Sequence, residues 1–261
     1  MSSTTKPDNV AAVMKVFAVL EALSEEKSMT LTDLAQKALT SKSTVYRFLQ
    51  TMQDLGYVRQ EEGTEKYALT LKLFTVGARV LNYHMDLMSA ADKPMQALSE
   101  ASHEGVHLGV LDRMSAEVIY IHKYDSHFDL GMRMHVGKRN YLHSTSLGKV
   151  ILAYSDPQDV DALLAKCELR QLTPNTLTSV DALHAQFQTI RAQGYAEEIE
   201  ESEIGVRCIA VPVFDYRGKI AAAISMSFPI IRFDESRKDE YIRLIKKTGA
   251  DASVGLGWQH Q

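Results

Sequence analysis

Cysteine is scarce in this chain of 261 residues, which holds only Cys167 and Cys208. Two thiols can provide neither a disulfide framework nor a set of metal ligands, and their scarcity favours a reducing compartment. Long apolar runs are also missing, so no segment is predicted to span a bilayer. The polar first residues lack the apolar stretch of a secretory signal. We therefore expect a soluble, cytoplasmic protein without membrane contact.

A strong charge of either sign is absent as well. The 29 Lys and Arg residues against 33 Asp and Glu give a net charge of -4, which argues against a general binder of polyanions. Residues 1–80 hold 10 basic and 9 acidic side chains, whereas the remainder holds 19 and 24. A contact with nucleic acid must therefore depend on the local placement of cations rather than on a strongly basic domain.

Catalytic motifs are nearly absent, because the chain has neither the G-x-S-x-G turn of hydrolases nor the glycine spacing of a phosphate-binding loop. One formal H-E-x-x-H match stands at His103, Glu104 and His107. Zinc proteases carry this motif on a helix, but here Gly105 interrupts it and the following residues alternate as in a strand. A metal-dependent hydrolase stays as an alternative. We favour the prediction that the protein is not an enzyme and uses no catalytic residue, metal or cofactor.

Three helices and a β-hairpin are predicted within residues 1–70. Apolar residues recur at helical spacing, and Thr30 and Ser41 stand where N-caps of the second and third helices are expected. Two short β-prone runs within residues 57–69 flank an acidic turn and predict the hairpin. This order is typical of a winged helix-turn-helix. A linker helix is expected to follow over residues 71–84.

The third helix carries a polar face that suits DNA. Its hydroxyls, cations and amide can donate to phosphates and read base edges, and residues 41–53 contain no carboxylate. A recognition helix reads bases mainly through its N-terminal half, so we expect Ser43, Thr44 and Arg47 near bases. A solvated amphipathic helix would look similar, but the complete order of elements favours double-stranded operator DNA as partner. The predicted DNA-binding residues are Thr32, Lys42, Ser43, Thr44, Tyr46, Arg47, Gln50, Arg59 and Lys66.

The remaining residues, 85–261, alternate between helical and strand patterns. Strand pairs without a helix between them predict an antiparallel α+β domain. The expected strands cover residues 106–111, 118–124, 130–136, 206–214 and 219–228. The expected helices cover residues 85–102, 146–154, 156–166, 179–193 and 234–253.

Two parts of the chain resemble one known family. The run Ser41–Leu49 (SKSTVYRFL) and the later Leu55–Val58 (LGYV) resemble the DNA-binding domain of IclR-type transcriptional regulators. The block 141–153 is similar to a further family segment. Residues at the spacing of the family's effector-domain signature are Gly194, Glu201, Cys208, Ile209, Ala210, Val213, Phe214 and Asp215.

Within that family, residues 42–52 and 65–67 look most like the KdgR branch. Its members repress sugar-acid catabolism and respond to 2-keto-3-deoxygluconate. The resemblance implies an α/β mixed (α+β) protein in which a winged helix-turn-helix is joined by the linker helix to an antiparallel-sheet effector-binding domain over residues 85–261. It further implies a homodimer or homotetramer controlled by a small carboxylate, such as this acid or a related aldonate. A DNA-binding architectural protein without a ligand is the alternative.

The resemblance also implies an effector pocket. Backbone N–H groups at the start of the helix before Gly148 are suited to an anion, and Ser225 and Ser227 are two apart on one strand and so face the same side. Taken singly, a buried Cys208 is usually core, and the serines could lie on a solvated face. Glu198 stands where the family has Asp or Ser, which changes pocket volume and charge. The implied effector-binding residues are Met132, Ser146, Leu147, Glu198, Cys208, Ser225 and Ser227.

Overall fold

The computed structural model describes residues 11–81, 84–132 and 134–259. Contacts divide the chain into two compact units, with the division between residues 83 and 84. Both units mix helices with antiparallel strands, which confirms the predicted α+β fold class. Within the described ranges, none of the helices combines the length and hydropathy needed to cross a bilayer.

The N-terminal unit contains the three helices and the hairpin. The two expected caps are confirmed, because the Thr30 side chain accepts a hydrogen bond from the Asp33 amide and Ser41 accepts one from Thr44. Residues 82 and 83 of the expected linker helix lie outside the described residues. The elements are α1 (Ala11–Ser24), α2 (Leu31–Lys37), α3 (Lys42–Asp54), β1 (Val58–Gln60), β2 (Tyr67–Leu69) and α4 (Leu71–Leu81).

The C-terminal unit is built on one six-stranded sheet in which every strand pair is antiparallel. The strand order is β5-β4-β3-β8-β7-β6. The strands are β3 (Gly105–Asp112), β4 (Glu117–Tyr124), β5 (Arg139–Tyr141), β6 (Ala196–Ile199), β7 (Val206–Phe214) and β8 (Ile220–Pro229). The helices are α5 (Met85–Ser102), α6 (Ser146–Tyr154), α7 (Pro157–Lys166), α8 (Val180–Gln193) and α9 (Lys238–Gly255).

Helices cover both faces of this sheet. Residues of α6, α7 and α8 form one core with Ala210 and Ala223, which belong to β7 and β8. The neighbouring Val211 points the other way, since successive strand residues alternate between faces, and its side chain would lie 2.7 Å from a Cβ on Gly249 of α9. The layers are therefore helix, sheet and helix, and a cavity opens on the α6 face.

One predicted strand is wrong. The described residues of 130–136 form a loop, and β5 follows it at Arg139–Tyr141, where Asn140 pairs with Val118. Apolar residues alternate in this loop as in a strand, but two of them line the cavity. Strand β6 was missed because it is short and carries two adjacent glutamates, which have low strand propensity.

Candidate functional site

The polar face of α3 is exposed. Its opposite side, with Val45, Leu49 and Met52, is buried in the N-terminal core. Thr44 is half-buried, and its hydroxyl lies 2.8 Å from the capping Ser41 Oγ, so that hydroxyl helps to fix the helix start. The predicted residues that stand exposed on α3 are Lys42, Ser43, Tyr46, Arg47 and Gln50.

The cations on this face are unpaired within the described part of the chain. Neither Lys42 nor Arg47 donates from its side chain to a described residue. By contrast, Lys37 on α2 donates to Glu25 at 2.6 Å, and that hydrogen bond raises the pKa of its ammonium. Unpaired guanidinium and ammonium groups keep all their donors for phosphates or base edges.

Three further predicted DNA contacts are exposed beside α3. Thr32 lies on α2, Arg59 on β1 and Lys66 just before β2. The Arg59 guanidinium lies 3.5 Å from Glu61 at the hairpin turn, a weak exposed pair that phosphate can replace. All nine predicted residues therefore belong to the N-terminal unit, and eight of them are exposed whereas Thr44 is half-buried.

Sheet register brings the second group of predicted residues together. Glu198 on β6 is opposite Cys208 on β7, and Cys208 is opposite Ser227 on β8. Register partners on adjacent strands have side chains on the same face, so the three form a row across the sheet. Ser225 lies two residues along β8 on that face, opposite His107 of β3.

This row forms the floor of a cavity with about 480 Å³ of atom-free space, counting its open mouth. Six of the seven predicted effector residues line it, whereas the Leu147 side chain lies in the core, where it would touch a Cβ on Gly109. The lining residues are Tyr120, Met132, Met134, Lys138, Asn140, Thr145, Ser146, Glu198, Ser202, Glu203, Val206, Cys208, Ser225 and Ser227.

The start of α6 contributes backbone donors to the cavity wall. Thr145 caps the helix by accepting from the Gly148 amide at 3.1 Å. The amides of Ser146 and Leu147 lie in the first turn, where no intrahelical acceptor exists. A Cβ on Gly148 would lie 2.3 Å from the Leu142 carbonyl oxygen, so glycine is required for this close approach. The arrangement can bind an anion through N–H groups.

Glu198 is a buried acceptor held in a fixed position. Its Oε1 accepts from the Ser202 amide at 2.9 Å and from the Ser202 hydroxyl at 2.7 Å. Burial, and then the Glu198 charge, raise the pKa of the Cys208 thiol well above its usual value. The neutral thiol donates to Ser227 Oγ at 3.2 Å. Cys208 therefore acts as a polar wall and not as a thiolate nucleophile.

A buried ion pair supports this wall from the side of the core. The Lys149 ammonium is fully buried and donates to Glu201 Oε1 at 2.5 Å and to the Glu197 carbonyl at 2.7 Å. Burial raises the pKa of the Glu201 carboxyl, although the Lys149 charge acts in the opposite direction. The pair ties α6 to the β6–β7 loop, whose Ser202 holds Glu198.

The buried His107 leads us to expect a loss of stability in mild acid. Burial lowers the pKa of its imidazole from 6.5 to about 4, so the unfolded chain binds this proton more readily. The free energy of unfolding therefore keeps the full contribution of neutral His107 above pH 6.5. It decreases by about 3 kcal/mol in all as the pH falls from 6.5 toward 4. The free energy of unfolding in urea, measured across this pH range, should decrease more steeply with falling pH for the natural protein than for His107→Gln. Equal pH dependence in the two proteins would contradict this role of His107.

The residues of the H-E-x-x-H match are not brought together as metal ligands. His103 ends α5, and its Nδ1 lies 3.0 Å from His127 Nδ1. The Glu104 carboxylate accepts from Arg232, and the His107 ring lies 3.3 Å from Ser227 Oγ. Among the described residues no group of three or more His, Cys, Asp or Glu could hold a metal ion. The hydrolase alternative is thus unsupported.

Several lining residues were not foreseen from the sequence, above all Tyr120, Lys138, Asn140 and Ser202. Lys138 immediately precedes β5 and Asn140 is the middle residue of that strand, which the sequence analysis placed too early in the chain. Ser202 lies four residues after Glu198, and this spacing on an acidic loop carried no recognisable motif. The one available signal was the position of Asn140, immediately before the segment 141–153 that resembles a family block.

Two family models match the sequence. One, described as the IclR helix-turn-helix domain, covers residues 12–62, and the other, the bacterial transcriptional regulator IclR C-terminal, covers residues 78–254. The HTH-type transcriptional regulator KdgR of Escherichia coli (strain K12) is 48% identical over 253 residues, which are 97% of this chain and 95% of KdgR.

Solved structures agree with these matches. The IclR protein of Thermotoga maritima matches with a TM-score of 0.79 at 29% identity, covering 96% of this chain and 100% of that one. The C-terminal domain of the E. coli transcriptional regulator KdgR matches with a TM-score of 0.61 at 42% identity, covering 67% of this chain and 100% of that domain.

Proposed function

Because this chain belongs to the IclR family of bacterial transcriptional regulators, we propose that it represses genes of sugar-acid catabolism and is released from DNA by a small carboxylate. It is a DNA-binding regulator, and its similarity to KdgR over almost the full chain supports the sugar-acid assignment. The observation that carries the proposal is the pairing of a free cationic helix face in one unit with a polar cavity in the other. Candidate effectors are 2-keto-3-deoxygluconate and related aldonates.

In this proposal α3 enters the major groove of operator DNA. Ser43 and Arg47 read base edges, while Lys42 and Tyr46 contact phosphates. Lys66 of the hairpin contacts the flanking DNA backbone. Since the cations are few, the contacts with phosphate are local, and binding is expected to weaken with salt in proportion to their number.

Selection from random duplex DNA tests the DNA-binding half. The full chain should enrich a near-palindromic sequence whose half-sites are spaced by about 10 base pairs or a multiple of that, because paired helix-turn-helix units contact successive turns of one face. A recovered pool without a common sequence would contradict operator recognition.

Exposed apolar side chains support self-association. Helix α4 has no buried residue, and Phe74 and Val80 are among its exposed side chains. On α1, Met14 and Phe17 are likewise exposed. Such faces are typical of interfaces, and we propose that a second copy of this chain covers them to give a homodimer, which assembles further into a homotetramer through the effector domains. We further propose that it acts in the cytoplasm, as is typical of bacterial transcriptional regulators.

Ser225→Ala tests the cavity as the effector site. Ser225 is buried and lines the cavity, and loss of one hydrogen bond costs about 1 kcal/mol, so the concentration of 2-keto-3-deoxygluconate needed for half-release of operator should rise about fivefold. Operator affinity without the acid should not change. Ser236→Ala, at an exposed serine outside the cavity, is the matched control. An unchanged half-release concentration in Ser225→Ala would contradict the site.

A further inference from the structure

The charges that line the cavity are unevenly matched. Among the described lining residues Lys138 is the one with a positive charge, whereas Glu198 and Glu203 are negative. The hydrogen bond that the Lys138 ammonium makes goes to Met134 Sδ at 3.4 Å. A thioether is a weak acceptor, and an ammonium has three donors. Lys138 thus retains donor capacity toward the cavity.

The backbone fixes where this ammonium begins. The Lys138 carbonyl accepts from the Tyr120 amide at 3.0 Å, and the Gly137 amide donates to the Tyr120 carbonyl at 2.7 Å. These two bonds attach the chain before β5 to the centre of β4. Burial lowers the pKa of His107 most; the Asp125 charge opposes this effect, and the Lys123 and Lys138 charges add to it. Lys138 therefore lies within electrostatic range of this histidine.

Glu198, which lies on β6, contributes a negatively charged hydrogen-bond acceptor to the cavity, in contrast to the positively charged donor Lys138. Its carboxylate is almost fully buried. Ser202 donates two hydrogen bonds to Oε1, and the Cys208 thiol is a further hydrogen-bond partner of the carboxylate. A carboxylate has about four acceptor sites, so Glu198 retains acceptor capacity beside the cavity. A buried carboxylate favours hydroxyl donors and opposes a second anion strongly, because water does not screen the repulsion there.

We propose that Lys138 binds the carboxylate of the effector and that Glu198 accepts hydrogen bonds from its hydroxyl groups. The cavity then selects hydroxylated monocarboxylates and rejects both dicarboxylates and uncharged polyols of the same length. This inference rests on the effector role proposed above and names the residues that set the ligand class. The α6 amides and Ser146 support the same carboxylate from the neighbouring wall.

Calorimetric titration of the full chain with four compounds tests this assignment. The probes are 2-keto-3-deoxygluconate and three six-carbon compounds that differ at their ends, namely gluconate, glucarate and glucitol. The natural protein should bind the two monocarboxylates at least about 10-fold more tightly than glucarate or glucitol. Lys138→Met should weaken the monocarboxylates by about 10-fold or more, whereas Lys138→Arg, which keeps the charge, should restore binding to within a few fold.

Two further variants complete the test. Glu198→Gln keeps the shape of the side chain and removes its charge, so it should reduce the difference in affinity between gluconate and glucarate. Lys93→Met, at an exposed lysine of α5 outside the cavity, should bind every probe as the natural protein does.

The outcomes separate the two proposals. Monocarboxylate binding that survives in Lys138→Met, or glucarate binding equal to gluconate in the natural protein, overturns the assignment of Lys138 and Glu198 while the effector role stands. If the natural protein binds neither 2-keto-3-deoxygluconate nor gluconate, the effector role itself is overturned. If Lys138→Met does not fold, Lys138→Arg and Glu198→Gln still test the inference. A ratio of gluconate affinity to glucarate affinity that is unchanged in Glu198→Gln contradicts it.

Discussion

Replacing Arg47 with alanine is expected to weaken specific operator binding strongly while the protein stays folded. The guanidinium is exposed on α3 and has no side-chain partner among the described residues, so its removal should change stability by less than about 0.5 kcal/mol. A bidentate contact between arginine and a base contributes about 1–3 kcal/mol. A dimer loses it twice, so the dissociation constant should rise roughly 30-fold to 10⁴-fold. Fluorescence anisotropy with the selected operator measures it.

The matched control for Arg47→Ala is Lys37→Ala. Lys37 is a cation of the same unit, but it is already paired with Glu25 and Glu26, so its removal should leave operator affinity within a few fold of the natural value. Thermal unfolding of both variants checks that they are folded. Operator affinity that is unchanged in Arg47→Ala, or reduced equally in the two variants, contradicts the reading of α3 as the recognition helix.

Replacing Lys149 with methionine is expected to cause the largest loss of stability. The ammonium is fully buried, and its removal leaves the Glu201 carboxylate without its partner in the core. Breaking a buried pair in this way costs about 3–5 kcal/mol. The midpoint of urea unfolding of the C-terminal unit should fall accordingly. Binding of the proposed effector in the cavity should weaken as well, because the same pair holds the loop of Ser202.

A double variant separates the charge effect from lost packing. In Lys149→Met with Glu201→Gln, no uncompensated charge remains, so most of the lost stability should return. A cost below about 1 kcal/mol in the single variant would mean that Glu201 finds another partner. A double variant as unstable as the two single changes added together would mean that the charges do not interact, and either result contradicts the ion-pair account.

Local features of the sequence predicted the N-terminal unit well. A cap depends on residues within one turn, so Thr30 and Ser41 could be recognised without knowledge of the fold. The polar face of α3 follows from helical periodicity alone. The strand-like bridge that pairs Met29 with Tyr67 was not foreseen, because it joins residues far apart in the chain and has no local signature.

The cavity shows where sequence reasoning ends. The shared face of Ser225 and Ser227 follows from the alternation of one strand, but the row that joins Ser227 to Cys208 and Glu198 depends on the register of three strands. The partnership of Lys149 with Glu201 spans 52 residues. Non-local register is not encoded in any single segment, so the resemblance and not the pattern pointed to these residues.

The most direct test of the account is the operator affinity of the full chain while 2-keto-3-deoxygluconate is added. Anisotropy of the selected operator should show the affinity falling by about fivefold or more at saturating acid, while binding to random DNA stays the same. An operator affinity that remains constant with this acid and with related aldonates would contradict effector control, and would favour a DNA-binding architectural protein without a ligand.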